Sequence, residues 1–411
     1  MKKIHIIGAG VSGLVAAIEL ERAGFAPVIL EASDRIGGRV KTDEVEGWPL
    51  DHGFQVLLTA YPAAKRYLNY STLDLVEFLP GAMIYDEGKQ YEFGDPLRHW
   101  DFLRATAFSP LASLGDKVRV WQLSYALQQQ SMERIFSKEE TTTAEYLRQE
   151  VGFSPKIIEN FFTAFYGGIF LDRDLTVSNR MFQFSFKMFS EGVAAIPRAG
   201  MQAIPQQLAA QLKRTEIRLN TPVQQVQADA VILEDGTRLE SELSVVATDP
   251  TGLLEDYQSK AQDWKFCDNL YLEVEGTGFG QAIIGLVSKD WSIINNFHYL
   301  NDVFGNRTNT VLSVTVTKNH GLEEAELVQR LTEEFRKGCG IEVKRLLARY
   351  PIKKALPTLT ALKYAPSAVD MIYRPTILLA GDYLANPSLN AAMESGRLVA
   401  GLAAERLQVL V

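Results

Sequence analysis

The chain has 411 residues, 46% of them hydrophobic and 22% charged, which is ordinary globular composition and enough length for two domains or more. A formal net charge of −8 argues against a nucleic-acid partner, because that function needs a basic face. No stretch reaches the roughly 20 apolar residues that cross a bilayer, the first residues lack a signal-peptide pattern, and the cysteines are Cys267 and Cys339 alone, so the expectation is a cytoplasmic protein in a reducing compartment, with peripheral membrane contact still compatible.

Residues 4–85 read as an α/β unit. "IHIIGAG" is a strand and tight turn, "VSGLVAAIELERAGF" an amphipathic helix closed by Gly24, and "PVILEAS" a second strand. Residues 97–190 are helix-rich and aromatic, and "TTTAEYLRQEVG" opens on a threonine suited to cap a helix. From about Ile196 the α/β pattern returns, with a helix in "MQAIPQQLAAQLKR" and strands in "IRLNTPVQQVQ", "AVILEDGTRL" and "LSVVATDP"; Asp235 and Gly236 mark a hairpin turn. Between residues 268 and 316 the strands lengthen and alternate, which predicts an antiparallel sheet, and a helix in "EEAELVQRLTEEFRKG" follows. The stretch "ILLAGDYLANPSLNAAMESG" returns to strand, turn and helix. The alternation predicts two interleaved domains. Residues 1–86, 191–262 and 356–411 form one; residues 87–190 (helical) and 263–355 (sheet and helix) form the other.

Gly8, Gly10 and Gly13 form G-x-G-x-x-G after a strand and at the start of a helix. The first glycine permits the turn, the second lets backbone approach a pyrophosphate, and the third lets helix pack on strand. The helix N-terminus offers unpaired N–H groups to phosphate. Glu31 ends the second strand, where a carboxylate can hold both ribose hydroxyls. A ligand-free βα turn would have no use for it. Arg35, Gly37, Gly38 and Arg39 follow, a second close-approach site for a phosphate or a planar ring. A nicotinamide-only domain does not need this second site.

With these residues in view, "GAGVSGLVAAIEL…VILEASDRIGGRV" resembles the N-terminus of the flavin amine oxidase superfamily, which includes amine oxidases, protoporphyrinogen oxidases and carotene desaturases. "LDHGFQVLLTAYP", "IPRAGMQAIPQQL", "IRLNTPVQQV", "SVVATDP" and "LLAGDYLANPSLNAAMESG" resemble later family segments in order, although Ala199 replaces one glycine of the Pro-x-Gly-Gly-Met element. The resemblance covers most of the chain. It implies an α/β fold in which a Rossmann-type FAD-binding domain interleaves with an α+β substrate domain. It implies non-covalent FAD, since the loop before the closing motif holds no cysteine. The implied FAD contacts are Gly8, Gly10, Val11, Ser12, Gly13, Glu31, Ala32, Arg35, Gly37, Gly38, Arg39, Gly53, Phe54, Gln55, Val223, Gly381, Asp382 and Leu389.

Amine oxidases of the superfamily use a lysine near flavin N5 and an aromatic cage. Asn269 occupies the expected lysine position in "CDNLYLEVEG", with Lys265 nearby, and Ser388 stands where a cage tyrosine often sits. Both departures favour similarity to the plant- and cyanobacterial-type carotene (phytoene) desaturase and protoporphyrinogen oxidase branch. In that branch "VSNRMFQFSF" places Arg180 beside flavin and substrate. His52 falls in the flavin-passing segment, and the five histidines show no metal-ligand spacing. The implied reaction is hydride removal from a small apolar substrate of the polyene or tetrapyrrole class, with oxygen or a quinone as acceptor. The alternatives are an amine oxidase producing hydrogen peroxide and a flavin-dependent isomerase without net redox change. The aromatics Phe161, Phe162, Phe165, Tyr166, Phe182, Phe184, Phe186 and Phe189 read as helical core before tunnel lining. The segment from Asp101 to Leu127 reads as packed helix or as a membrane-touching face.

Overall fold

The computed structural model describes residues 2–86, 88–94, 102, 109–261, 263–287, 292–305, 307–317 and 320–409. Two sheets organise them. The first has six strands in the order Glu216–Arg218, Val28–Leu30, Ile4–Ile7, Leu243–Val246, Ile377–Leu379 and Ile372–Arg374. The first five run parallel and the last is antiparallel. Ile4–Ile7, Leu243–Val246 and Ile377–Leu379 are buried along their whole length, as strands covered on both faces must be. Because they are parallel, their carboxyl ends open on one edge, where ligands of such sheets bind. Residues Gly8 and Gly381 therefore leave the sheet on the same side.

Helix Val11–Arg22 packs against helix Leu389–Val409. The contact needs Gly396, since a Cβ there would lie 2.4 Å from the Ser12 carbonyl oxygen. Two segments from opposite ends of the described chain are thus in direct backbone contact. The turn at Asp235 and Gly236 joins the antiparallel strands Ala230–Leu233 and Arg238–Glu240, with Gly236 at φ +83°.

The second sheet has seven strands, in the order Val343–Thr358, Asp263–Val274, Thr310–Val316, Ile294–Tyr299, Ile284–Val287, Gly81–Asp86 and Lys89–Gly94. Its pairs are antiparallel except Gly81–Asp86 with Ile284–Val287, which are parallel. The expected first boundary at residue 86 therefore falls too late: Gly81–Asp86 belongs to this sheet. A pairing across some 200 residues leaves no mark on the local sequence. Helix Glu324–Glu334 packs Leu327 and Leu331 into the apolar cluster of this sheet. Helix Asn179–Glu191 buries Phe182 against Tyr146, Phe162 and Tyr166, and Phe184 against Tyr61 and Phe136. The expected threonine cap is Thr142, which forms a reciprocal capping box with Glu145.

Candidate active site

One cavity of about 1820 Å³ runs from the carboxyl edge of the parallel sheet to helix Leu114–Gln128. At its first end, Gly8, Gly10, Val11, Ser12, Glu31, Gly37, Gly38 and Arg39 form the wall. Gly13 lies behind it and is sterically obligatory, because a Cβ there would sit 2.1 Å from the Gly8 carbonyl oxygen. The two glycine turns touch back to back: a Cβ on Gly38, at φ +62°, would lie 3.2 Å from the Gly10 Cα. Glu31 is buried and its carboxylate is held from three sides. It accepts from the Ala9 N–H at 2.7 Å, the Ser33 N–H at 3.0 Å and the Ser33 hydroxyl at 2.7 Å.

The closing segment forms the facing wall through Gly381, Asp382, Tyr383, Ser388 and Leu389. Arg39 joins the two halves. Its guanidinium donates to buried Asp382 at 2.5 Å and to the Ala355 carbonyl at 3.0 Å, and it lies over the Trp264 ring. Ser388 caps helix Leu389–Val409 by accepting from the Ala391 N–H at 3.0 Å, so this helix starts at the wall. The serine at the cage position thus has a local structural task.

His52, Gly53, Phe54 and Gln55 form the middle of the wall. Gly53, at φ +94°, could carry no side chain without meeting Ile352 at 2.9 Å. His52 stacks on Tyr350 and its Nε2 lies 2.9 Å from Asp43, which also binds Arg35 and Tyr350. Burial would raise the Asp43 carboxyl, but the bonds from His52 and Arg35 outweigh it and hold the group below its usual range. His52 is therefore occupied in orienting the wall. Just behind, fully buried Asp51 accepts from the Met201 N–H at 2.9 Å and from the Thr42 hydroxyl. Burial pushes its carboxyl up to about 7 despite those bonds.

Several expected residues stand off the wall. Ala32 is exposed, Arg35 turns to Asp43 at 2.6 Å, and Val223 sits half-buried opposite Leu233 in a small three-stranded sheet. Arg180 does not line the cavity either, although it holds two residues that do, Glu140 and Leu362. It donates to the carbonyls of Lys138 and Leu362 and pairs with Glu140 at 3.3 Å, which fixes the N-terminus of its helix. Asn269 is fully buried one layer back, bonded to Ser313 and Thr315. Lys265 and Cys267 of the same strand do reach the wall, as do Thr315 and Asn296. Lys265 pairs with Asp172 at 3.1 Å. Phe161, Phe162, Phe165, Tyr166, Phe186 and Phe189 line the far chamber, whereas Phe182 and Phe184 are core.

Comparison with known proteins matches residues 11–404 to the family of flavin containing amine oxidoreductases. The chain belongs to that family. An L-amino-acid oxidase of Sistrurus catenatus edwardsii is 43% identical over 77 residues, covering 19% of this chain and 15% of that protein, so the matched segment spans under a sixth of the relative. Two solved structures share the fold over nearly the whole length. A candidate protoporphyrinogen oxidase from Exiguobacterium sp. 255-15 aligns with TM-score 0.72 and 18% identity, covering 98% of this chain and 99% of that one. A CLA-producing fatty acid isomerase from P. acnes aligns with TM-score 0.72 and 17% identity, covering 98% of each chain.

The family is flavin-containing, and this chain's own residues fit such a cofactor. The glycine cradle leaves backbone N–H groups and no side chain between two turns. The wall also carries polar atoms with no partner among the described residues: the buried hydroxyls of Tyr383 and Thr141. The sequence reading set Lys265 second to Asn269 and missed Tyr383 and the Lys354–Asp249 pair at 2.6 Å. Alternation along strand Asp263–Val274 leads from Asn269 through Cys267 to Lys265; the register shift beside Cys267 places its extra residues in the partner strand Val343–Thr358.

Proposed function

We propose that the chain binds FAD without a covalent link and removes hydride from an apolar substrate of the desaturase or dehydrogenase kind. The carrying observation is the single cavity that joins the glycine cradle to an aromatic chamber. Glu31 would hold the ribose, Gly8, Gly10 and the start of helix Val11–Arg22 the pyrophosphate, and Asp382 with Arg39 the chain leading to the ring. The N-terminus of helix Leu389–Val409 would supply partial positive charge to a ring that gains negative charge on reduction. FAD held there would supply a two-electron acceptor, reoxidised by oxygen or a quinone.

The chain's part is to bind, orient and exclude water. Phe161, Phe165, Phe186 and Phe189 hold a hydrocarbon against the wall. Cys267 is the wall's thiol, but burial pushes it up to about 12, so it stays protonated and is a poor nucleophile for covalent attachment.

Amine oxidation with hydrogen peroxide as product is the second reading, favoured by Lys265 on the wall and by the partial match to L-amino-acid oxidases. Isomerisation without net redox change is the third, in view of the fatty acid isomerase neighbour. An anaerobic bleaching screen tests all three, with polyamines, amino acids, protoporphyrinogen and detergent-dispersed polyenes. Bleaching by an apolar compound supports the first, bleaching by an amine the second, and turnover only after pre-reduction the third. A protein that stays colourless after incubation with FAD refutes them together.

A further inference from the structure

The face of the seven-stranded sheet that looks into the cavity carries a row of polar side chains where apolar ones would cost less to bury. Asn269, Asn295, Asn296, Ser313 and Thr315 are all buried. They form one directed chain of hydrogen bonds. The Asn295 amide donates to the Ala164 carbonyl at 3.2 Å and to the Asn296 side-chain oxygen at 3.0 Å. Asn296 donates to the Thr315 hydroxyl at 3.3 Å, Thr315 to the Asn269 side-chain oxygen at 3.2 Å, and Asn269 to the Ser313 hydroxyl at 3.3 Å. The Ala164 carbonyl can only accept, so it fixes which way Asn295 points, and each later member follows from the one before.

Two irregularities make room for the row. Asn295 is the extra residue of a bulge, since Ile294 and Asn296 pair with the consecutive residues Val316 and Thr315. Gly168 of helix Thr163–Ile169 then lets both asparagines approach: a Cβ there would lie 2.2 Å from Asn295 Nδ2 and 3.1 Å from Asn296 Oδ1. Phe165, one turn before Gly168 on the same helix, lines the aromatic chamber.

The row leaves a donor open at the wall. Of its five members, Asn296 and Thr315 line the cavity. An amide nitrogen carries two N–H groups. Asn296 spends one on Thr315, and the other has no partner among the described residues. Behind it the buried Asn295 oxygen has no partner among them either. The cation of the strand beside Thr315, Lys265, is already paired with Asp172 at 3.1 Å. An uncharged donor in such a wall suits an uncharged oxygen, because a carboxylate seated there would keep most of its desolvation cost.

We propose that Asn296 binds the substrate: its free N–H donates to one uncharged oxygen, a carbonyl or hydroxyl, of an otherwise apolar molecule whose body lies against Phe165. Thr315 is a positioning residue that aims the Asn296 amide. This role rests on the cavity being the seat of an apolar substrate.

Two probes that differ by one carbonyl test it without turnover. Hexanophenone and hexylbenzene are titrated into the flavin-loaded protein and followed by the visible difference spectrum of the flavin. Comparing the ratio of their affinities between wild type and variant cancels the different cost of taking each probe out of water. Asn296→Leu is expected to weaken hexanophenone about five- to tenfold and to leave hexylbenzene within about twofold, the loss of one neutral hydrogen bond. Thr315→Val, which removes the hydroxyl that aims Asn296, is expected to shift the ratio about threefold in the same direction. Flavin content and circular dichroism report folding of both variants. Infrared difference spectra of the wild type need no variant: the carbonyl stretch of bound hexanophenone should lie below its position in hexane. An unchanged ratio in both variants, or a stretch at the hexane position, overturns the role of Asn296 and leaves the apolar seat standing, since both probes still bind. A wild type that binds neither probe overturns this role together with the reading of an apolar substrate.

Discussion

Replacing Glu31 by alanine removes one carboxylate that the structure uses twice. Inside the protein it accepts from the Ala9 N–H at 2.7 Å and from both donors of Ser33. On the cavity side it would accept from ribose hydroxyls. A hydrogen bond to a charged group contributes about 1.5–3 kcal/mol, and an amide left buried without a partner costs about 1–3 kcal/mol. FAD affinity is therefore expected to fall by about 2–4 kcal/mol, or roughly 30- to 1000-fold. Glu31→Gln keeps one acceptor oxygen for the Ala9 N–H and loses the charge, so a loss of about tenfold is expected. Titrating flavin-free protein with FAD and following flavin fluorescence gives both constants. An alanine variant that binds FAD within threefold of wild type, with an unchanged urea midpoint, refutes the assignment of Glu31 to the ribose and the importance of its bond to Ala9.

Two further outcomes follow from buried ionisable groups. Asp51 has a folded pKa of about 7 against an ordinary 3.8, so its contribution to stability is full below the ordinary value and is lost as pH rises through about 7. Asp51→Asn should flatten that part of the pH dependence, worth up to roughly 4 kcal/mol, which urea midpoints at acidic and alkaline pH would measure; parallel profiles for the two proteins would count against the argument. Lys265→Met separates the readings of the reaction. Anaerobic flavin reduction should slow about 100-fold if the substrate is an amine whose proton Lys265 helps to manage, and change little if it is a hydrocarbon.

The nucleotide end of the site was legible in the sequence because its glycines are required by local sterics. Gly13 tolerates no Cβ against Gly8, and Gly38 faces Gly10 across a gap that fits only backbone. Each requirement acts within one turn or between two short turns, so it is written directly into residue identity. The catalytic end was less legible, because it depends on register. Counting along "CDNLYLEVEG" leads to Asn269, which the strand pairing leaves buried against Ser313 and Thr315, while Lys265 is the strand's cation on the wall. Strand Val343–Thr358 escaped notice for the same reason, since three register shifts against its partner blur the alternation that marks a strand. The family resemblance of its segment places Arg180 beside flavin and substrate; its backbone partners at Lys138 and Leu362 come from distant loops. The far chamber's aromatics divide into wall and core by which helix face they occupy, and that depends on the packing of several helices together.

The Arg39–Asp382 pair and the contact of Gly396 with Ser12 have a consequence for how the protein comes into being. A ribosome adds roughly 5–20 residues per second, so the glycine turns emerge tens of seconds before the strand and helix that complete their pocket. During that interval the nascent sheet lacks Ile377–Leu379, and the apolar side of Leu243–Val246 waits without its neighbour. Newly made chains should therefore depend on protection from aggregation until the last strand slots in, and an early stop codon before residue 377 should yield insoluble protein, not a smaller working enzyme.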